Sequence, residues 1–149
     1  MAVNCYLDSN ICIAYLQKTH ISHQSATKII KAIRVKGFVV SISPLCLDET
    51  IHILLRDGQK TRTPNYFLIV KKQISRFLKI PNLEIINPPP TPRSQIQIFG
   101  FINKYHLKTR DAFHLLIAKH HRIKYFATFD HDFDLVFSSH ALKQFLNWL

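Results

Sequence analysis

Short β-rich runs alternate with longer stretches of helical period along this chain, and that alternation narrows its fold more than any other feature. Residues 2–7 form an apolar run that ends at Asp8, after which Ser9 or Asn10 can cap a helix reaching about Gln17. Residues 22–35 repeat apolar side chains at Ala26, Ile29, Ile30 and Ile33, the spacing of one helix face, and Gly37 closes that helix. Residues 38–42 read as a second strand. Ser43 and Pro44 then give the polar-then-proline start of a helix to about Arg56. Residues 57–65 are polar, lack an apolar period and read as a loop. Residues 65–78 return to helical spacing, with Phe67, Val70, Ile74 and Phe77 on one face. A short strand follows at 83–86, then a stiff extended loop through Pro88, Pro89, Pro90 and Pro92. Residues 94–104 are helical. Thr109 is placed to cap the next helix, which has Asp111 in its first turn and Ala112, Leu115, Leu116 and Ala118 on its buried side. Residues 124–129 make a fourth strand ending at Asp130. Ser138 or Ser139 starts a last amphipathic helix carrying Leu142, Phe145, Leu146 and Trp148. This order predicts an α/β fold with a mainly parallel sheet of four or five strands. At 149 residues it predicts one domain, long enough to bury a real core.

A parallel sheet turns the distribution of acids into a geometric statement. The chain has nine Asp and Glu against 20 Lys and Arg, for a net charge of +11. Asp8, Asp48, Glu49, Asp111, Asp130, Asp132 and Asp134 fall at four sites, leaving Asp57 and Glu84 elsewhere. Open parallel sheets bind ligands beyond the carboxyl ends of their strands, and the helix after each strand starts at that same edge. Asp8 and Asp130 end strands, while Asp111 and Glu49 fall in the first turns of helices. All four can therefore converge on one rim. Carboxylates that close repel, and without a cation some would hold protons. An all-oxygen set suits Mg²⁺ or Mn²⁺, one ion or two. Each acid also has a local reading. Asp8 can cap the following helix, and Asp111 can complement a helix dipole. Asp48 lies about 100° around the helix from Glu49, so only one of that pair faces a site. Asp134 reads as a loop residue. Independent local roles, however, would not place every acid at the same predicted edge.

The positive charge points to a polyanion, against the plainer reading of a soluble basic domain. From position 60 to 79 the chain carries Lys60, Arg62, Lys71, Lys72, Arg76 and Lys79 without an acid, beside Tyr66 and Phe67. This stretch could follow an RNA backbone, or it could be a solvated helix face. Cys5, Cys12 and Cys46 are odd in number and lack CxxC spacing, as core thiols of a reducing compartment would. No leader pattern and no run long enough to span a membrane is present, so a cytoplasmic location is expected. Zinc is disfavoured, since His120, His121 and His131 lack ligand spacing with any cysteine. His114 reads as a packed or hydrogen-bonded core residue, and the last helix could meet its own domain or a second subunit.

Four stretches, in order and spacing, resemble the PIN-domain ribonucleases, in particular the VapC-type toxins of bacterial toxin–antitoxin pairs. They are residues 3–10 (VNCYLDSN), 43–49 (SPLCLDE), 110–118 (RDAFHLLIA) and 127–133 (ATFDHDF). The resemblance implies a single-domain, three-layer α/β/α fold. Asp8, Glu49, Asp111 and Asp130 would then be the catalytic quartet that holds Mg²⁺ or Mn²⁺, and Asp132 an auxiliary metal ligand. Asn10 and Thr128 would be the polar residues that orient the quartet or touch phosphate. It further implies metal-dependent endoribonuclease activity, an RNA substrate, a small antitoxin partner and a possible homodimer. A haloacid-dehalogenase-type phosphatase is excluded on length, because only 19 residues follow Asp130. A non-catalytic RNA- or antitoxin-binding module on the same fold remains the alternative, although intact acids without a cation would repel RNA.

Overall fold

The computed structural model describes residues 2–145. Its elements are β1 (Asn4–Leu7), α1 (Ser9–Leu16), α2 (His23–Val35), β2 (Val39–Ile42), α3 (Pro44–Lys60), α4 (Tyr66–Phe77), β3 (Leu83–Ile85), α5 (Pro92–Tyr105), α6 (Thr109–His120), β4 (Tyr125–Ala127), α7 (Asp134–Ser138) and β5 (Lys143–Gln144). A 3₁₀ turn, His131–Phe133, precedes α7. The five strands form one parallel sheet in the order β3-β2-β1-β4-β5. The chain builds outward from β1 through β2 to β3, then returns to lay β4 and β5 on the other side of β1. The crevice beyond β1 and β4 is thus the switch point of the sheet, where such folds take ligands.

Strand periodicity assigns the two faces. Cys5, Leu7, Val40, Ile42 and Ala127 point into a core shared with Ile11, Cys12, Ile29, Ile33, Leu54, Val70 and Phe77 of α1 to α4. Tyr6 and Phe126 point the opposite way, into a core built with Ile98, Leu115, Leu116, Phe133 and Val136 of the later helices. A sheet covered by helices on both faces is the three-layer α/β/α arrangement. The expected face of α2 is the buried one: Ala26, Ile29, Ile30 and Ile33 are all inside. Pairing of Leu7 with Ala127 brings the next residues, Asp8 and Thr128, side by side at the carboxyl edge.

Several local expectations need correction. Asp8 itself caps α1 by accepting from the Ser9 amide, so neither Ser9 nor Asn10 does. Lys108, whose side chain makes no capping hydrogen bond, occupies the N-cap of α6, and Thr109 is already helical. Glu49 lies in the second turn of α3, not the first. Helix α3 continues past Arg56 to Lys60, which shortens the expected 57–65 loop to a tight corner closed by left-handed Arg62 and Asn65. Proline at 92 opens α5 instead of extending the loop. Phe67 is 61% exposed, whereas Val70 and Phe77 of the same expected face are buried. The predicted last helix does not form across residues 139–145. His140 takes a positive φ of 59°, and β5 then pairs with β4. Leu142 and Phe145 enter opposite cores. Residues three apart share a helix face but lie on opposite faces of a strand, so the spacing alone was compatible with either. Leu146 and Trp148 lie outside the described residues.

The α3–α4 corner depends on Gly58. A Cβ added there would fall 2.7 Å from the Cβ of Tyr66, an atom fixed to the α4 backbone. Replacing a helical glycine with alanine ordinarily stabilises by about 1 kcal/mol. Here steric overlap reverses the sign, and Gly58→Ala is expected to destabilise by about 1–2 kcal/mol. A chemical-denaturation midpoint at or above the wild-type value would show that the corner can give way.

Candidate active site

The carboxyl edge between β1 and β4 carries an open cleft of about 390 Å³, lined by Asp8, Ser9, Asn10, Glu49, Lys108, Thr109, Arg110, Asp111 and Asp130. Asp8 is its floor. Only 4% of this residue is exposed, and its two oxygens are held from several directions. The Ser9 amide donates to Oδ1 at 2.7 Å, while Thr128 Oγ1 and Asn10 Nδ2 donate to Oδ2 at 2.6 and 3.0 Å. Asn10 also donates to Thr128 Oγ1 and accepts from the Phe129 amide, tying α1 to the turn after β4. Thr128 Oγ1 in turn accepts from the Asp130 amide at 2.9 Å. One fully buried hydroxyl therefore holds the Asp8 carboxylate after one strand and the Asp130 backbone after its neighbour. Asp130 repeats the device by accepting from the Asp132 amide at 2.9 Å, which caps the 3₁₀ turn.

Glu49 and Asp111 arrive from the helices. Glu49 reaches in from α3, whereas Asp48 is exposed, as their 100° offset requires. Asp111 is the third residue of α6. Ligating atoms within 4.8 Å of one another form two trios: Asp8, Glu49 and His114, and Asp111, Asp130 and Asp132. Asp134 is exposed and pairs with His131 at 3.2 Å, so it belongs to α7 and not to the cleft.

The electrostatics show how much negative charge is confined here. Asp111 is pushed up to about 6 by burial and by the neighbouring Asp8 and Asp130. Burial raises Asp8 as well, opposed by His114 and by the hydrogen bonds of Thr128 and Ser9. Burial also acts to raise Glu49, but His114 and Arg110 outweigh it, leaving its carboxyl below the ordinary range. Carboxylates driven toward protonation by burial and by neighbouring acids, as Asp8 and Asp111 are, suit a hard divalent cation, and every cleft acid offers oxygen. The residues present thus fit Mg²⁺ or Mn²⁺.

Against this geometry stand the comparisons with known proteins. The PIN domain family model matches residues 5–136, which is most of the chain. The chain belongs to the PIN domain family. No curated protein sequence matches it. Among solved structures, the PIN domain is similar to VapC20 of Mycobacterium tuberculosis, a Sarcin-Ricin loop cleaving toxin. That match has a TM-score of 0.68 at 18% identity and covers 89% of this chain and 95% of the other. It is also similar to VapBC2 of Rickettsia felis, solved bound to a DNA fragment from their promoter (TM-score 0.65, 16% identity, 89% and 92% covered). FitAcB of Neisseria gonorrhoeae gives a TM-score of 0.58 at 16% identity over 97% and 98% of the two chains. At these identities the likeness is one of fold.

Two cations of this PIN domain that sequence reasoning passed over stand at the mouth of the cleft. Lys108 Nζ lies 2.7 Å from Asp132, and Arg110 Nη1 lies 3.4 Å from Glu49. Both are mostly exposed, so the pairs are weakly held and free to exchange partners. Their signal was the pair of cations, Lys108 and Arg110, placed within three residues of Asp111. By contrast, Lys60, Arg62, Lys71, Lys72, Arg76 and Lys79 do not line the cleft. Lys72 and Arg76 instead border a separate groove of about 580 Å³ with Tyr15, Lys18, His23 and Phe77, between α4 and the α1–α2 pair.

Proposed function

We propose that this PIN domain is a metal-dependent endoribonuclease, the VapC-type toxin of a toxin–antitoxin pair, working with Mg²⁺ or Mn²⁺. The observation that carries the reading is the gathering of Asp8, Glu49, Asp111 and Asp130 in one open cleft with surplus negative charge. A divalent cation would supply a nucleophilic water at neutral pH and neutralise charge on the phosphate. Asp8, Glu49, Asp111 and Asp130 would hold it, with Asp132 in support. Thr128 and Asn10 fix the floor carboxylate, so little reorganisation is needed when the cation arrives. Lys108 and Arg110 can leave their acids to meet the phosphates on either side of the scissile bond. An open cleft admits a polymer from the side, and the net charge of +11 favours a nucleic acid. The same reading includes an antitoxin partner, a single nuclease domain, a cytoplasmic location and a homodimer. No helix among the described residues is long and apolar enough to cross a membrane. Lys60, Arg62 and the α4 cations Lys71, Lys72 and Arg76, with Lys79, would serve RNA only at a distance from the cleft.

The test is direct. Purified protein should cut RNA when Mn²⁺ or Mg²⁺ is added, stop when EDTA is in excess, and resume when Mn²⁺ is restored. Cleavage that continues unchanged in EDTA would overturn the reading.

A further inference from the structure

Behind the cleft lies a buried polar chain for which the acidic quartet alone gives no reason. His114, on α6 three residues after Asp111, is 1% exposed. Its Nε2 lies 3.0 Å from Glu49 Oε2 and 3.8 Å from Asp8 Oδ1. Its Nδ1 lies 2.7 Å from the Tyr6 hydroxyl, which is 2.6 Å from Ser43 Oγ. Ser43 Oγ accepts from the Cys46 amide at 3.2 Å as the N-cap of α3. Tyr6 and Ser43 are fully buried. An apolar residue at any of these places would pack without the cost of burying polar atoms.

One direction of donation satisfies every member. The Cys46 amide donates to Ser43, Ser43 donates to Tyr6, Tyr6 donates to His114 Nδ1, and His114 Nε2–H donates to Glu49. Reversing the Tyr6 and Ser43 steps would leave the Ser43 proton without an acceptor among the described residues. It would also turn an Nε2 lone pair onto two carboxylates unless that nitrogen, too, were protonated.

We propose that Tyr6, Ser43 and His114 form a positioning relay that keeps a proton on Nε2 and so holds Glu49 against Asp8 in the arrangement the cation requires. His114 is then a donor standing behind the ligands and is not itself a ligand. The relay links the N-cap of α3, strand β1 and helix α6, the elements that deliver Glu49, Asp8 and Asp111. The proposal rests on reading these acids as a metal site, but its first test needs no metal.

In metal-free protein, ¹H–¹⁵N spectra of the histidine rings should show His114 protonated at Nε2 with an acceptor-type Nδ1, the peak being assigned by its loss in His114→Gln. Tyr6→Phe keeps the ring that stacks on Phe126 at 5.3 Å and removes only the hydroxyl. In that variant the Nδ1 shift should lose its hydrogen-bonded character, and Mn²⁺ affinity, read by paramagnetic line broadening, should fall about 10-fold or more. His114→Gln, which still offers an N–H to Glu49, should keep more Mn²⁺ affinity than His114→Leu. An Nε2 without a proton in wild-type protein would overturn the relay. So would wild-type Mn²⁺ affinity in a folded Tyr6→Phe variant, or equal losses in His114→Gln and His114→Leu. Loss of the Nε2 proton when a diamagnetic Mg²⁺ is added would also overturn it, by making His114 a ligand. A wild-type chain that binds no Mn²⁺ would sink the nuclease reading, while the spectra of the metal-free protein would still decide the relay.

Discussion

Asp111→Asn should reduce metal-dependent RNA cleavage by more than about a hundredfold and at the same time make the metal-free protein more stable. Removing even a supporting group around a metal commonly costs 10–100-fold, and Asp111 is proposed as a direct oxygen ligand. The stabilisation has the opposite origin. In the metal-free protein the Asp111 carboxyl sits at about 6, raised by burial and by Asp8 and Asp130. The folded state therefore binds a proton that the unfolded chain, with an ordinary carboxyl near 3.8, does not. Where the folded state holds more protons, stability falls as pH rises, so this group destabilises the fold progressively from about pH 4 to about pH 6 and fully above. Asparagine keeps the shape and removes the charge. The variant should melt higher than wild type at pH 7.5, show less difference at pH 4.5, and lose most of the melting shift that Mn²⁺ gives the wild type. In the wild type that shift should shrink on going from pH 7.5 to pH 5, since a bound cation must displace the proton. A variant that melts lower than wild type at neutral pH would mean Asp111 has a structural partner. One that cuts RNA at the wild-type rate would remove it from the site.

This pairing of lost activity with gained stability separates a metal site from a cluster of helix caps, and the sequence supplied half of the distinction. The edge at which the acids meet was legible because strand ends and helix starts can be read locally, and parallel topology then places them on one rim. Asp8 is in fact both a cap and the floor of the cleft, so the local and the functional readings describe the same carboxylate. The offset between Asp48 and Glu49 was legible for the same reason, being a property of one helix. The remainder was set by contacts between residues far apart in the chain. Phe67 has the correct helical spacing but stands exposed in the first turn of α4, and spacing cannot report which turns of a helix have a neighbour to pack against. Leu142 and Phe145 fit a helix face and also fit two faces of a strand, and only pairing with β4 decides between them. Lys108 and Arg110 are ordinary exposed cations until α6 is seen beside α3 and the 3₁₀ turn. His114 could be read as a packed or hydrogen-bonded core residue, but its partners Tyr6, Ser43 and Glu49 come from two other elements.

Thr128→Val tests whether the floor of the site is held by packing or by hydrogen bonds. The two side chains have nearly the same volume, so the buried pocket at Thr128 is not emptied. What is lost is one donor and one acceptor. Asp8 Oδ2 loses its shortest bond, 2.6 Å, and the Asp130 amide and the Asn10 side chain lose their common acceptor. A hydrogen bond to a charged group contributes about 1.5–3 kcal/mol, and stranded buried partners add to the cost. Asn10 still donates to Asp8 Oδ2 and so offsets part of it. The expected net loss is about 2–3 kcal/mol, a drop in melting temperature of roughly 5–10 °C for a chain of this size. Thr128→Ser retains the hydroxyl and gives up one methyl group, so it should lose only about 1 kcal/mol. The order of the two variants decides the matter, because a packing role predicts that valine is tolerated better than serine. RNA cleavage should follow the hydroxyl, retained in Thr128→Ser and strongly reduced in Thr128→Val even at temperatures where the valine variant is fully folded. If valine proves as stable and as active as threonine, the network around Asp8 does not position it, and the order imposed on the cleft must come from the packing of β1 against β4.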